Sequence, residues 1–359
     1  MTTTIPKRKP LVIAGQKIRR GETRDLFLNF SESFTGISVA VPVRVIAAKR
    51  PGPTVFLTGT IHGDELNGLG IIRSLLMSNT LPLKRGTVIA VPVVNVFGLE
   101  NVSRYLPDRR DLNRCFPGSP TGSLSARLAD TIFREVVLKS DFGVDFHTAA
   151  IGRTNFPNIR GDLKDPKVRE LAQAFGSGFI VNGRGPAGSM RGEAVRAGVP
   201  TVILEAGETW KIEPGILELG VRGALNVLKH YDMLAGEPDL PPSQWLVEKT
   251  TWIRAQRGGV LTYHVAPGEQ VNKGQILATN LDVFGQELNR IHAPRKGIVM
   301  GMTTMPVVKP GDAIFHLAIT PKTLVHDASA KELSPADPQL MRRIRRHLAT
   351  NIQVSKAAV

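Results

Sequence analysis

Two kinds of hydrophobic spacing alternate along residues 37–235. Short β-branched apolar runs predict buried strands, and apolar residues three or four positions apart predict amphipathic helices. The predicted strands cover 37–48, 54–60, 86–96, 142–146 and 201–205, and the predicted helices cover 66–77, 123–138, 166–175 and 216–234. This alternation predicts an α/β fold, in which helices cover both faces of a mostly parallel or mixed sheet.

The hydrophobic pattern changes after Gly236, where a proline-rich segment at 237–242 has the composition of a linker. Two similar stretches follow, GGVLTYHVAPGEQVNKGQIL at 258–277 and GIVMGMTTMPVVKPGDAIF at 297–315. Their similarity predicts a smaller, pseudo-symmetric β-domain. The predicted organisation is therefore N-terminal strands in 1–50, a main α/β domain in 51–240, a β-domain in 250–325, and a basic helix and tail in 331–359.

The 359 residues are 42% hydrophobic and 21% charged, which is typical of a folded globular protein. The formal net charge of +15 first suggests nucleic acid as a partner. However, residues 1–25 carry seven Lys or Arg and two acids, and residues 331–359 carry six and two. Most of the excess is therefore terminal, and aromatic residues, at 6%, are too few to favour a surface that stacks bases. Nucleic acid is disfavoured as a partner.

The chain has one cysteine, Cys115, and no apolar run approaching the roughly 18 residues of a membrane span. A single cysteine cannot form an internal disulfide, and the apolar stretch at 11–14 is too short for a signal peptide. We therefore expect a soluble cytoplasmic protein without a membrane partner.

The strongest candidate for chemistry is the segment GTIHGDE at 59–65, between a predicted strand and a predicted helix. Ligands of open α/β sheets gather at such strand ends, and His62 with Glu65 provides two-thirds of a His₂Glu zinc set. His147 ends another predicted strand and completes the set, with Asp145 placed to orient an imidazole. An isolated histidine after a strand is more often an ordinary polar residue, but two such strand ends favour a metal. The six other histidines are expected to be structural or exposed: His230, His264, His292, His316, His326 and His347.

A second candidate is the loop RYLPDRRDLNR at 104–114, which has four arginines in eleven residues. Guanidinium groups match a carboxylate in bidentate fashion, so the loop is a candidate anion site. The alternative is a solvated loop held by salt bridges.

The third candidate is Glu205, which ends the apolar run of residues 201–204. If Glu65 is a metal ligand, a different carboxylate must accept the proton of the attacking water, and Glu205 fits that role. Glu208 is a weaker candidate for the base. The alternative for Glu205 is a strand-end carboxylate that faces solvent and has no catalytic role.

In this order, the motifs GTIHGDE, RYLPDRRDLNR, DFHT and ILEAGE resemble those of the succinylglutamate desuccinylase/aspartoacylase family, relatives of the zinc carboxypeptidases. The resemblance covers roughly residues 50–235. It implies a three-layer α/β/α zinc-carboxypeptidase-like sandwich with one Zn²⁺ per chain on His62, Glu65 and His147, and with Glu205 as the general base.

The resemblance also implies roles for the arginine loop. Asn113 and Arg114 correspond to the pair that binds a substrate carboxylate, and Arg104 corresponds to the arginine that polarises the scissile carbonyl. Since the loop is about two residues longer than in well-known members, Arg109 is an alternative to Arg104. Arg191 is a further candidate substrate contact.

The β-domain resembles the biotinyl/lipoyl barrel-sandwich that many family members append. Its hairpin segment, residues 282–287, contains no lysine, so we do not expect a carrier of a prosthetic group. We expect the domain to cover part of the active-site mouth or an oligomer interface.

The sequence thus predicts a zinc-dependent deacylase that cleaves the amide bond of a small N-acyl amino acid or related carboxylated amide. A zinc esterase or a carboxypeptidase-like peptidase is the alternative, and a non-catalytic nucleic-acid-binding protein is less favoured. A homo-oligomer is left open.

Overall fold

The computed structural model describes residues 10–77, 81–319, 321–325 and 338–350. Its α-helices are α1 (Leu66–Met77), α2 (Val96–Glu100), α3 (Leu124–Glu135), α4 (Pro166–Phe175), α5 (Met190–Arg196), α6 (Pro214–His230) and α7 (Pro338–Thr350), with short 3₁₀ helices at Leu112–Arg114 and Val137–Lys139. The first ten strands are β1 (Val12–Ile13), β2 (Gln16–Lys17), β3 (Thr23–Glu32), β4 (Ser38–Ala47), β5 (Thr54–Gly59), β6 (Thr87–Val91), β7 (Phe142–His147), β8 (Arg153–Gly161), β9 (Phe179–Asn182) and β10 (Thr201–Gly207). The remaining strands are β11 (Ser243–Val247), β12 (Lys249–Arg254), β13 (Gly259–Tyr263), β14 (Gln270–Val271), β15 (Ile276–Leu281), β16 (Glu287–His292), β17 (Gly297–Thr303), β18 (Val307–Val308), β19 (Ala313–Ile319) and β20 (Lys322–Val325).

A large mixed sheet forms the centre of the fold. Its main path runs β12-β19-β17-β8-β10-β7-β5-β6-β4-β3. The four strands β6, β5, β7 and β10 are parallel, while β8 and β4 flank them in antiparallel orientation. The predicted mixed sheet is confirmed, and the parallel strands bring their carboxyl ends to one edge.

Hydrophobic clusters cover both faces of this sheet, as an α/β/α sandwich requires. Successive residues of β5 point to opposite faces: Leu57 belongs to the cluster that contains Ile71 of α1, while Phe56 belongs to the cluster that contains Leu128 of α3. Every residue of β5 is buried. This explains why the strand is a continuous apolar run rather than an alternating one.

The C-terminal part has its own four-stranded antiparallel sheet, in the order β16-β15-β13-β18, and its own hydrophobic cluster. The two similar sequence stretches form β13–β15 and β17–β19. The short middle strand of each stretch pairs with the first strand of the other stretch: β18 pairs with β13, and β14 pairs with β17. The C-terminal part is not detached from the main sheet, since Thr303 of β17 pairs with Arg153 of β8 and Gly301 pairs with Asn155.

Some element boundaries differ from the sequence predictions. The strand predicted at 86–96 ends at Val91, and the helix α2 begins soon after because the side chain of Asn95 accepts a hydrogen bond from the Gly98 N–H at 2.8 Å. β8, β9 and α5 lie in a region where the sequence pattern predicts only the helix at 166–175. Parts of the predicted N-terminal segment and basic tail, residues 1–9, 331–337 and 351–359, lie outside the described residues. Among the helices that the structure describes, none has both the length and the apolar character needed to cross a bilayer.

Candidate active site

The three predicted metal ligands converge at the carboxyl edge of the sheet. His62 and Glu65 lie between β5 and α1, and His147 is the last residue of β7. β5 and β7 are parallel neighbours, with Gly59 paired to Phe146, so both strands end at the same place. One ligand atom from each of the three side chains lies within 4.8 Å of the other two, and all three residues are buried.

The turn that carries His62 and Glu65 depends on Gly63. A Cβ atom at this position would lie 1.8 Å from the carbonyl carbon of Gly98, so only glycine allows α2 to approach. The N–H of Gly63 donates to the carbonyl of Ser103 at 3.0 Å. Backbone contacts of the chain itself therefore fix the turn.

Hydrogen bonds orient both imidazoles in the same way. Nδ1 of His62 lies 2.6 Å from Oε1 of Glu65, and Nδ1 of His147 lies 2.8 Å from Oε2. The opposite nitrogens, Nε2, face carboxylates: Asp111 at 3.1 Å for His62 and Asp145 at 2.7 Å for His147. A carboxylate behind each ligand histidine fixes its tautomer and ring orientation in metal sites. Two imidazoles and one carboxylate form a donor set that suits zinc, so the residues fit the metal that the sequence predicts.

The electrostatics keep Glu65 ionised. Burial raises the pKa of Glu65, but the charges and hydrogen bonds of His62 and His147 outweigh burial and hold the pKa below its ordinary value. Burial lowers the pKa of His147, whereas Asp145 and Glu65 raise it by more, so the net pKa is well above the ordinary histidine value. The buried carboxylate is thus available as a ligand at neutral pH.

Asp111 was not predicted, although it lies in the arginine loop. Its Oδ2 accepts hydrogen bonds from Arg104 at 2.8 Å (Nη2) and 3.1 Å (Nε), while its Oδ1 faces His62. Burial raises the pKa of Asp111, and His62 and Arg104 lower it to below the ordinary value. Asp111 therefore links the arginine loop to His62. Its place in the DLNR motif was the only feature of the sequence that pointed to this role.

The structure separates the two candidate arginines. Arg104 lines the cavity, and its Nη1 lies 3.4 Å from Oε1 of Glu65. Arg109 is exposed, lies in a turn with φ of +60°, and is not among the cavity-lining residues. Of the two, only Arg104 lines the cavity.

Glu205 lies beside the predicted ligands. It pairs with His147 in the parallel ladder between β10 and β7 and lines the cavity. Its Oε2 accepts a hydrogen bond from Nδ2 of Asn155 at 2.9 Å, and its Oε1 lies 3.8 Å from Nη1 of Arg160. Glu208 is not among the residues that line the cavity, and it pairs with Lys211 at 2.8 Å.

The three candidate substrate contacts also line the cavity. The Oδ1 of Asn113 accepts a hydrogen bond from the N–H of Met190 at 2.8 Å, which ties the arginine loop to α5. Arg191 is buried, and its Nε and Nη1 have no hydrogen-bond partner among the described residues. Burial and the nearby Arg160 lower the pKa of Arg191 to about 10, so it remains a cation at neutral pH. A buried guanidinium with unpaired N–H groups is suited to an anionic ligand.

The C-terminal part completes a cavity of about 340 Å³, a size suited to a small molecule. Trp252 of β12 and His316 of β19 line it as parallel rings, with centroids 4.2 Å apart. The guanidinium carbon of Arg153 lies 5.3 Å from the centroid of the Trp252 ring. His316, predicted to be structural or exposed, therefore faces the cavity, and the C-terminal part contributes two side chains to the cavity wall.

Comparison with known proteins agrees with this geometry. Residues 51–231 match the family description "Succinylglutamate desuccinylase/Aspartoacylase catalytic domain". The N-alpha-acetyl-L-2,4-diaminobutyric acid deacetylase of Halomonas elongata is 30% identical over 295 residues, which cover 78% of this chain and 86% of the relative.

Solved structures extend the similarity to the whole architecture. The succinylglutamate desuccinylase/aspartoacylase of Rhodobacter sphaeroides has a TM-score of 0.76 at 29% identity, covering 85% of this chain and 98% of that one. The product-bound ectoine utilization protein EutE (DoeB) of Ruegeria pomeroyi has a TM-score of 0.76 at 26% identity, covering 88% and 100%. The chain therefore belongs to the succinylglutamate desuccinylase/aspartoacylase family, which supports hydrolysis of the amide bond of small N-acyl amino acids.

Proposed function

We propose that this protein is a zinc-dependent deacylase that releases the acyl group of a small N-acyl amino acid or related carboxylated amide, with one Zn²⁺ per chain. The observation that carries the proposal is the buried group of His62, Glu65 and His147, in which each imidazole is backed by its own carboxylate. When bound, the ion supplies Lewis-acid polarisation of the scissile carbonyl and lowers the pKa of water.

Glu205 is proposed as the general base and acid. Its carboxylate lies at the cavity wall, on the strand next to the one that ends in His147. There it would accept a proton from the attacking water at one carboxylate oxygen and return that proton to the departing amine. Asn155 holds Oε2 by a hydrogen bond, so the carboxylate has a fixed orientation.

The arginines are proposed to bind and polarise the substrate. Arg104, held by Asp111, has a guanidinium edge within 3.4 Å of Glu65 and would stabilise negative charge that develops on the carbonyl oxygen. Asn113, Arg114 and Arg191 would bind the substrate carboxylate and thereby orient the amide.

Metal analysis and a deacylation screen together test the proposal. The purified protein should contain about one equivalent of zinc per chain and should hydrolyse N-acetyl amino acids. Esters and short peptides belong in the same screen, because zinc and a carboxylate would serve those bonds as well. Full metal occupancy without release of amino acid from any amide would contradict the proposal.

A further inference from the structure

The strand that carries the proposed base leaves the sheet ladders directly after Glu205. The ladder between β10 and β7 ends at the pair of Glu205 and His147, and the pairing of β10 with β8 shifts register between Glu205 and Gly207. Both ladders of the described sheet therefore bypass Ala206. Other contacts have to fix this end of β10, because a misplacement of a reacting group by about 1 Å can lower a rate on the order of 100-fold.

A buried asparagine provides such a contact. Asn67 is the second residue of α1 and lies two residues after Glu65, so it belongs to the segment that carries two of the proposed metal ligands. Its Nδ2 donates to the carbonyl of Ala206 at 3.3 Å and to Oε2 of Glu213 at 2.8 Å. Its Oδ1 accepts a hydrogen bond from the N–H of Glu213 at 2.8 Å. The side chain of Asn67 thus joins α1 to the end of β10 and to the start of α6.

Glu213 is the partner of Asn67 and also holds the backbone beyond β10. It directly precedes α6 and is 1% exposed, and its Oε2 accepts a hydrogen bond from the N–H of Glu208 at 2.9 Å. Acidic side chains at this position commonly cap the helix that follows. Among the described residues, however, the carboxylate of Glu213 makes no capping bond to α6. Its hydrogen bonds go to the segments that carry the proposed site.

The surroundings leave little room for this pair to move. A Cβ atom on Gly207 would lie 1.8 Å from Oε2 of Glu213 and 2.7 Å from Nδ2 of Asn67. On the outer side, α7 packs against α6, and Nε2 of His347 lies 3.4 Å from Oε1 of Glu213. The basic C-terminal helix therefore covers the pair and contributes to its burial.

We propose that Asn67 and Glu213 are positioning residues, which form a buried latch that holds the end of β10, and with it Glu205, against the turn of the proposed metal ligands. The inference rests on the proposed function, in which Glu205 is the base. Neither Asn67 nor Glu213 is among the described residues that line the cavity, so both act through Glu205 and not on the substrate. Loss of the latch should lower kcat and leave KM and zinc affinity nearly unchanged.

Two substitutions of Glu213 separate the reach of the side chain from its charge. Glu213→Gln keeps the length, and its amide oxygen can accept both hydrogen bonds that Oε2 accepts, so kcat should stay within about threefold of the wild type. Glu213→Asp keeps the charge and is a favourable residue before a helix, but it is one methylene shorter and would fall short of both donors. We expect kcat of Glu213→Asp to fall at least tenfold, with KM within about threefold and about one equivalent of zinc retained.

Asn67→Ala removes the other half of the latch, and Asn226→Ala is its matched control. Asn226 is a buried asparagine of α6 with the same kind of contact: Nδ2 donates to the carbonyl of Asp239 at 2.8 Å, and Oδ1 accepts from the N–H of Asp239 at 2.8 Å. It is not among the described residues that line the cavity. Both substitutions should lower the midpoint of urea unfolding, but only Asn67→Ala should lower kcat, by at least tenfold.

Amide hydrogen exchange gives a readout that needs no turnover. In the metal-free protein, the backbone of residues 206–213 should exchange at least fivefold faster in Glu213→Asp and in Asn67→Ala than in the wild type. The same segment should exchange at the wild-type rate in Glu213→Gln and in Asn226→Ala.

The outcomes distinguish the latch from the proposed function. If the zinc-loaded wild type hydrolyses no amide, the proposed function fails. If Glu205→Gln is inactive while Asn67→Ala and Glu213→Asp turn over at the wild-type rate, the latch is wrong and the deacylase function stands. Equal losses of kcat in Glu213→Gln and Glu213→Asp would also overturn the latch, and so would an equal loss in Asn226→Ala, because charge or general destabilisation would then explain the effect.

Discussion

Glu205 lies directly opposite His147 in the parallel ladder between β10 and β7. The backbone of a parallel sheet therefore sets the spacing between the proposed base and a proposed metal ligand, and the register is fixed by the buried residues on either side of both strands. The β10 bulge after Glu205, which ends at Gly207, lets the chain leave the sheet immediately beyond this pair. Chemistry at this site thus depends on sheet register as well as on side-chain identity.

Replacing Glu205 by glutamine should separate metal binding from turnover. Glu205→Gln keeps the size of the side chain but cannot accept the proton, so we expect kcat to fall by about 10²–10⁴-fold with zinc content unchanged. Steady-state kinetics together with elemental analysis would measure both quantities. Glu208→Gln is the control, and it should stay within about threefold of the wild type. If Glu208→Gln is the inactive variant, the assignment of the base is wrong.

Removing the carboxylate behind His62 should weaken the metal site. Asp111→Asn can still contact the imidazole but loses the negative charge, so zinc affinity should fall by about 10–100-fold. Competition with a chelator of known affinity measures the change. Asp232→Asn changes an exposed aspartate that does not line the cavity and should leave zinc affinity unchanged. Equal zinc affinity in the two variants would show that Asp111 does not support His62.

Alanine substitutions at two glycines with positive φ should distinguish the cost of backbone strain from the cost of steric overlap. Gly198 has φ of +84° and nothing within 4 Å of the point where a Cβ atom would lie, so Gly198→Ala should cost only strain, about 1–2 kcal/mol. Gly207 has φ of +74°, and its Cβ would lie 1.8 Å from Oε2 of Glu213. Gly207→Ala should therefore cost roughly 2–5 kcal/mol in the free energy of unfolding.

Only the Gly207 change should also reduce kcat, because it displaces the end of the strand that carries Glu205. Urea unfolding and kinetics on both variants check this. Equal destabilisation of the two variants would mean that the Glu213 side chain moves away from the new Cβ without a loss of stability, and would contradict this prediction.

His316 should make the folded state sensitive to mild acid. Burial first, and then Arg160 and Arg153, hold its pKa at about 3, below the ordinary 6.5, so the unfolded chain binds the proton more readily. Its contribution to stability is complete above pH 6.5 and is lost as the pH falls from 6.5 toward 3. At pH 5.5 the loss is on the order of 1 kcal/mol.

Urea unfolding of the wild type and of His316→Phe between pH 5 and 8 would show this loss as a difference in slope. The metal ligands titrate in both proteins and cancel in the comparison. Parallel curves would show that His316 is protonated as easily in the folded protein as in the unfolded chain.

The proximity of His62, Glu65, His147 and Glu205 was predictable because each is a polar residue at or just after the end of an apolar strand. Such ends meet at one edge of a parallel sheet, so local sequence carries the information about their proximity. The side of the cavity formed by Arg153, Trp252 and His316 was not predictable in this way. These three residues meet only because β8 pairs with β17 and β12 pairs with β19, across separations of about 150 and 60 residues along the chain.

Arg104 and Arg109 show, within one loop, the same limit of prediction from local sequence. Both are arginines in the segment 104–114, and spacing alone left either as the polarising group. The positive φ of Arg109 directs the chain through a turn that leaves its side chain exposed, whereas Asp111 holds Arg104 toward the metal ligands. Loop conformation, which depends on contacts with the rest of the fold, determines that Arg104 and not Arg109 lines the cavity.

The cavity is lined by residues from two separate stretches of chain, which the pairing of β8 with β17 brings together. The stretch that ends at Gly207 holds every proposed metal ligand and the proposed base, while Trp252 and His316 come from beyond the linker. Changes in the later stretch can therefore alter which acyl amino acid is accepted while the bond-breaking apparatus stays the same. Related proteins that share the motifs around His62 and Glu205 can accordingly differ in substrate, and the residues at positions 153, 252 and 316 are the ones to compare before an activity is transferred from one to another.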